Sequence, residues 1–165
     1  TISELSLEGP GVTEYAKAKA KLLNILYEND PKGDFLWLRL ANVFGGNDIT
    51  GRFAITTFNK LLKNEPVKIN TTGEQNFNSI HMNDAIEYMI ELIMSDTCGV
   101  HLVGSSEPTS LKEFVLEAKR LSNSQSEVAF GQVVAPDFDK ELLSHNRKQI
   151  KPNIKQGLLD ANVNK

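Results

Sequence analysis

The chain of 165 residues has a single cysteine, Cys98, so no disulfide can form within it, and no metal-ligand spacing surrounds that thiol. We read Cys98 as a small buried hydrophobe, and so little cysteine fits a reducing, cytoplasmic setting. No apolar run approaches the roughly 20 residues that cross a bilayer, and no charged-then-apolar leader opens the chain. A soluble protein without a membrane partner is therefore expected. An excess of cations is also missing: 18 basic against 21 acidic side chains leave a net charge of -3, so nucleic acid is not an expected partner. Nowhere does a Gly-x-x-Gly-x-x-Gly or Gly-x-Gly-x-x-Gly run follow a strand, so the glycine-rich turn that wraps a dinucleotide pyrophosphate is not in this sequence. The first residue is Thr1, not Met, as in a cleaved or partial polypeptide.

What is present suffices for one ordinary domain, since 40% hydrophobic residues can fill a core. Residues 1–13 have loop composition, and Thr13 is a plausible N-cap for a helix from Glu14 to Glu28. In that helix Tyr15, Lys19, Leu22, Leu23 and Leu26 share one stripe, which predicts that Tyr15 and Lys19 face inward with the leucines. Phe35 to Leu40 reads as a strand covered on both faces, with Trp37 in the core. It stops at Asn42, ahead of a Gly45-Gly46 turn. A helix over 51–63 places Phe53, Phe58, Leu61 and Leu62 inward, and Val67 to Asn70 alternates as a half-buried strand does. A third helix over 83–94 and a strand over 100–103 follow. Ser110 and Glu113, three apart before an apolar stripe, form a capping box. The last forty residues suggest two short helices around Pro136 and Pro152. This alternation of helix and strand argues an α/β layered architecture.

Tyr15 and Lys19 lie one helical turn apart, so both can meet the same small molecule. A phenol with a reference pKa of about 10 becomes a usable base when an ammonium nearby favours its anion. Such a pair can move a proton while a nicotinamide moves a hydride. The plainer alternative is a tyrosine at a helix start beside a snorkelling lysine. Asn42 either stops its strand or reaches a ligand at the strand's carboxyl end. His81 and Asp84 are expected to be structural because a third metal ligand is missing, and no metal site is expected.

Read in order, four segments resemble the extended short-chain dehydrogenases/reductases, the NAD-dependent nucleotide-sugar epimerase/dehydratase family. Tyr15-Ala16-Lys17-Ala18-Lys19 is similar to its Tyr-x-x-x-Lys element. Leu38-Arg39-Leu40-Ala41-Asn42-Val43-Phe44-Gly45 is similar to Leu-Arg-x-x-Asn-Val-Tyr-Gly. Gly73-Glu74-Gln75 with Ile80-His81-Met82-Asn83-Asp84-Ala85 resembles Gly-x-Gln…Ile-His-Val-x-Asp-Val/Ala. Gly99 to Ser105, then Thr109-Ser110-Leu111, resembles Gly-x-Tyr-Asn-Ile-Gly-Ser…Thr-Ser-Leu.

The resemblance spans about residues 13–121 and implies the C-terminal part of a Rossmann-like doubly wound parallel sheet plus a small substrate-binding α/β subdomain. Residues 1–48 would end the dinucleotide-binding domain and 49–165 would mainly form the substrate region, the N-terminal cofactor-binding half being absent. It further implies Tyr15 as acid/base, Lys19 as its partner and holder of the nicotinamide ribose of NAD or NADP, backbone around Val43 and Phe44 facing the nicotinamide, Asn42 on the nucleotide-sugar phosphates, and a possible homodimer.

One departure bears on the substrate. Where the family reads Gln-x-Arg-Asp-Phe, this chain has Gln75-Asn76-Phe77-Asn78-Ser79, so Phe77 replaces the arginine expected to clamp the diphosphate, and a phenyl ring cannot mimic a bidentate cation. Arg52 or Lys60 would then hold the phosphates, or the substrate is a smaller carbonyl compound without them. A binding or regulatory module that kept the fold is the reading from another functional class. This chain alone is expected to be inactive.

Overall fold

The computed structural model describes residues 14–46, 51–107, 109–135 and 150–163. Among them the order is α1 (Glu14–Asn29), β1 (Leu36–Leu40), β2 (Asn42–Phe44), α2 (Phe53–Leu62), β3 (Val67–Thr71), β4 (Ser79–His81), α3 (Met82–Met94), β5 (Gly99–Val103), α4 (Leu111–Leu121), β6 (Val128–Val133) and α5 (Ile154–Val163). The strands form three parallel pairs, β1 with β5, β2 with β4 and β3 with β6. Every pair joins strands distant in sequence, as crossover connections require. The architecture is thus the α/β arrangement expected from the alternation of elements.

The helices follow their local signals. Ser110 and Glu113 make the full capping box of α4, with the Ser110 hydroxyl accepting from the Glu113 N–H and the Glu113 carboxylate accepting from the Ser110 N–H. At α3 the cap is His81, whose Nδ1 accepts from the Asn83 N–H at 3.2 Å.

Two apolar clusters hold the chain. The first gathers Phe44, Phe58, Phe114, Leu61, Val67, Ile69 and Leu158 between α2, α4, α5 and the β3–β6 pair. The second gathers Ile80, Tyr88, Leu92 and Val103 with Leu36, Leu38 and Leu40 of β1.

Several expectations are corrected. All five residues of β1, Trp37 included, are only half-buried, so this strand is not sealed on both faces. Tyr15 is 52% exposed, Leu22 is exposed as well, and none of the described side chains of α1 is buried, so its stripe does not face a core. A helix stripe is buried only where another layer meets it, and one contact of α1 is the Tyr27 ring edge against Phe35 at 4.9 Å. Cys98 is exposed, because it sits in the turn after α3, whose backbone the preceding Asp96 takes through positive φ. Phe53 is exposed because it opens α2, ahead of the turns that pack inward. The final segment carries a strand that was not expected, β6, and one helix beyond Pro152, while Thr13 and Pro136 lie outside the described residues.

Candidate functional site

At the carboxyl end of β1 the chain opens a cavity of about 450 Å³. One wall is Leu40, Ala41, Asn42 and Val43, and the other is Arg52, Phe53, Ala54 and Phe77. The two walls belong to different cores, since Leu40, Ala41 and Val43 pack in the second cluster and Ala54 and Phe77 in the first. The end of a parallel strand is where open α/β sheets gather ligands, because the loops there diverge and leave a crevice.

Asn42 is held in a defined direction. Its backbone N–H and its Nδ2 both donate to the Asn78 carbonyl, at 3.1 and 2.8 Å. A carbonyl only accepts, so the amide nitrogen must face it and the orientation of the carboxamide follows. Asn78 is in turn fixed by Ser105: its Oδ1 accepts from the Ser105 N–H at 2.8 Å and its Nδ2 donates to the Ser105 carbonyl at 3.0 Å. Sequence reasoning did not single out Asn78. The signal was present, since an amide stands where the resembling motif has Asp, and an amide, unlike an ionised carboxylate, can both donate to and accept from the backbone of one residue.

Arg52, the residue before α2, sends Nη1 to the Val43 carbonyl at 3.4 Å and so spans the two walls. The Arg52 side chain does not cap α2, and its guanidinium stands at the end of the helix towards which the first N–H groups point. Phe77 turns its edge to Phe53 at 5.5 Å and to Phe114 at 4.9 Å, which makes one wall aromatic and ties it to the first core. Lys60, the other cation considered for the phosphates, is not among the lining residues and sits two turns further along α2.

Tyr15 and Lys19 come together, with Lys19 Nζ 5.6 Å from the centre of the Tyr15 ring. Neither lines the cavity, and the ammonium lies over the ring. Phe44 does not offer its side chain to any ligand: it is buried against Phe58, Phe114 and His81, while Val43 lines the cavity. Only its backbone is left for the contact expected of it.

His81 is 1% exposed and both of its ring nitrogens are engaged. With Nδ1 accepting at the α3 cap, the proton belongs on Nε2, which donates to Asp160 Oδ2 at 2.9 Å. Burial works to raise the Asp160 pKa, but the Gly46 N–H, the Gln156 amide and His81 together outweigh it and hold this carboxyl below its ordinary range. His81 is therefore a structural histidine. No group of three or more possible metal ligands occurs among the described residues.

Residues 3–102 match the family described as NAD dependent epimerase/dehydratase. The chain belongs to that family. Within the wider group of relatives, the CDP-abequose synthase of Salmonella muenchen is 27% identical over 128 residues, which are 76% of this chain and 43% of that protein. The chain thus spans less than half the length of this curated relative.

Solved epimerase/dehydratase-like folds agree. The UDP-glucuronic acid 4-epimerase from Bacillus cereus, solved with UDP-glucuronic acid and NAD, superposes with a TM-score of 0.66 at 15% identity, over 98% of this chain and 58% of that one. RMD from Pseudomonas aeruginosa, complexed with NADPH, gives 0.70 at 11% identity, over 98% of this chain and 63% of that one. Identities this low speak to the fold alone. No described helix is long and apolar enough to cross a membrane.

Proposed function

We propose that the protein carrying this chain is an NAD(P)-dependent epimerase, dehydratase or reductase of a nucleotide-activated sugar, working in the cytoplasm. The observation that carries the reading is the cavity at the end of β1, where Asn42 and Val43, in the segment that resembles the family's Asn-Val-Tyr-Gly, meet Arg52 and the start of α2. The Arg52 guanidinium and the second N–H of the Asn42 amide are donors that a diphosphate can accept from. The relatives named above support the substrate class, being described by a CDP-sugar and a UDP-sugar.

In this reading residues 1–48 finish the dinucleotide-binding region and 49–165 hold the sugar nucleotide, with α3 and β5 folding back onto β1. Tyr15 and Lys19 fit a nicotinamide ribose, since a phenol and an ammonium stand side by side on an open helix face. The dinucleotide, when bound, gives or takes the hydride. The Tyr15 hydroxyl holds and moves the proton of the reacting sugar oxygen, with Lys19 beside it one helical turn on. Asn42 and Arg52 orient the substrate, and Phe77 closes the cavity against water. The exposed stripe of α1, with Leu22 and Ile25, supports a homodimer formed through that helix.

A second reading rests on Phe77. The arginine of the resembling motif is replaced by a ring packed on Phe53 and Phe114, which favours a smaller carbonyl substrate without a diphosphate. Melting shifts of the intact natural protein with CDP-, UDP- or dTDP-sugars separate the two, a shift supporting the first and none the second. The chemistry is tested by Tyr15→Phe in that same protein. Turnover should fall at least about 100-fold with cofactor affinity unchanged, and near-normal turnover refutes the assignment.

A further inference from the structure

We infer that Asp160, on α5, is a positioning residue: its carboxylate fixes the turn that leaves β2 and thereby sets how Val43 stands opposite Arg52. The inference rests on reading the cavity as the sugar-nucleotide site, and adds to it a residue that lines no part of that cavity.

Three donors from separate places converge on this one side chain. Oδ2 accepts from the Gly46 N–H and from His81 Nε2, and Oδ1 accepts from Gln156 Nε2 at 2.8 Å. The His81 donor has a fixed direction because its ring is held from the other side by the Asn83 N–H. Each contact is charge-assisted, and the carboxylate is largely withdrawn from water, so the three bonds outweigh their neutral equivalents.

The turn itself has little freedom to be anything else. Gly45 has φ of 101° and Gly46 of 62°, and a Cβ added to Gly45 would lie 2.3 Å from His81 Nε2 and 2.9 Å from Asp160 Oδ2. Behind it, a Cβ on Gly157 would stand 2.7 Å from the Phe44 ring, so α5 is pressed directly onto β2. Gly46 is only three residues beyond Val43, whose carbonyl takes the Arg52 guanidinium. Release of the Gly46 N–H therefore loosens the first link of the connection between the two walls.

The test uses the intact natural protein with Asp160→Ala and the milder Asp160→Asn, read by amide hydrogen exchange at Gly46 and by steady-state kinetics with a CDP- or UDP-sugar. Asp160→Ala should speed Gly46 exchange at least about tenfold and raise the sugar-nucleotide KM about tenfold, with kcat within about twofold. Asp160→Asn keeps an oxygen for Gly46 and should hold KM within about threefold, so it carries the test if the alanine variant does not fold. Unchanged exchange in Asp160→Ala, or faster exchange with KM untouched, overturns the inference, as does a KM for Asp160→Asn raised as far as for alanine. If the unaltered protein binds no sugar nucleotide, the functional reading fails. If it binds and Asp160→Ala binds equally well, this inference alone fails.

Discussion

The two apolar clusters draw on similar residues and end in different states. Around Phe114 the side chains of α2, α4, α5, β3 and β6 close on one another, and Phe44, Phe58 and Phe114 are within 1% of full burial. Around β1 and β5 the strand Leu36–Leu40 is as apolar as any in the chain, yet each of its residues is half-buried, and the described side chains of the neighbouring α1 are half-buried or exposed. The contrast shows that hydrophobic sequence sets what can be buried, while the number of layers meeting at a point sets what is. It also locates the cavity, which opens where the closed cluster ends and the open one begins.

The sharpest way to break this comparison is to remove one side chain from each side. Phe114→Ala takes out a ring that touches Phe44, Phe58 and Phe77, and should cost about 3–5 kcal/mol, while Leu38→Ala in half-buried β1 should cost about 1–2 kcal/mol. Denaturant midpoints with unchanged m-values would measure both, and equal losses would mean that the clusters do not differ as described. Next in size is Gly45→Ala at the junction between them. Left-handed backbone and the collision with His81 predict a loss of about 2–4 kcal/mol, seen as a lower midpoint, and a neutral effect would show that the turn yields. The smallest change, Ser110→Ala, removes the capping box of α4 and should cost about 1 kcal/mol in the closed cluster. Calorimetry resolves it as a shift of a few degrees in Tm.

Much of the closed cluster was legible in the sequence. Apolar spacing at Phe58, Leu61 and Leu62, the alternation of β3 and the Ser110–Glu113 box each act within one turn or strand, and the structure contains all three. The strands that escaped notice are β2 and β4, each only three residues long, and β6, whose partner β3 lies about sixty residues away. No local pattern records a pairing at that distance. The same holds at the site. Asn42, Val43 and Phe77 were readable as candidates from motif order and Arg52 as a substitute cation, and the four line one cavity. Asn78 and Asp160 were not, because their importance lies in what they touch across 27 residues, for Ser105, and 114 residues, for Gly46.

By itself the sequence determined the helices and their caps, the apolar faces and the family, all of which depend on spacings of a few residues and on the order of short motifs. Only the tertiary structure decided that Tyr15 stands exposed, that Phe44 belongs to the core while Val43 belongs to the cavity, and that one carboxylate near the end of the chain secures the turn beside it. Burial and convergent hydrogen bonding are properties of neighbours brought together by folding, and no window along the chain contains those neighbours.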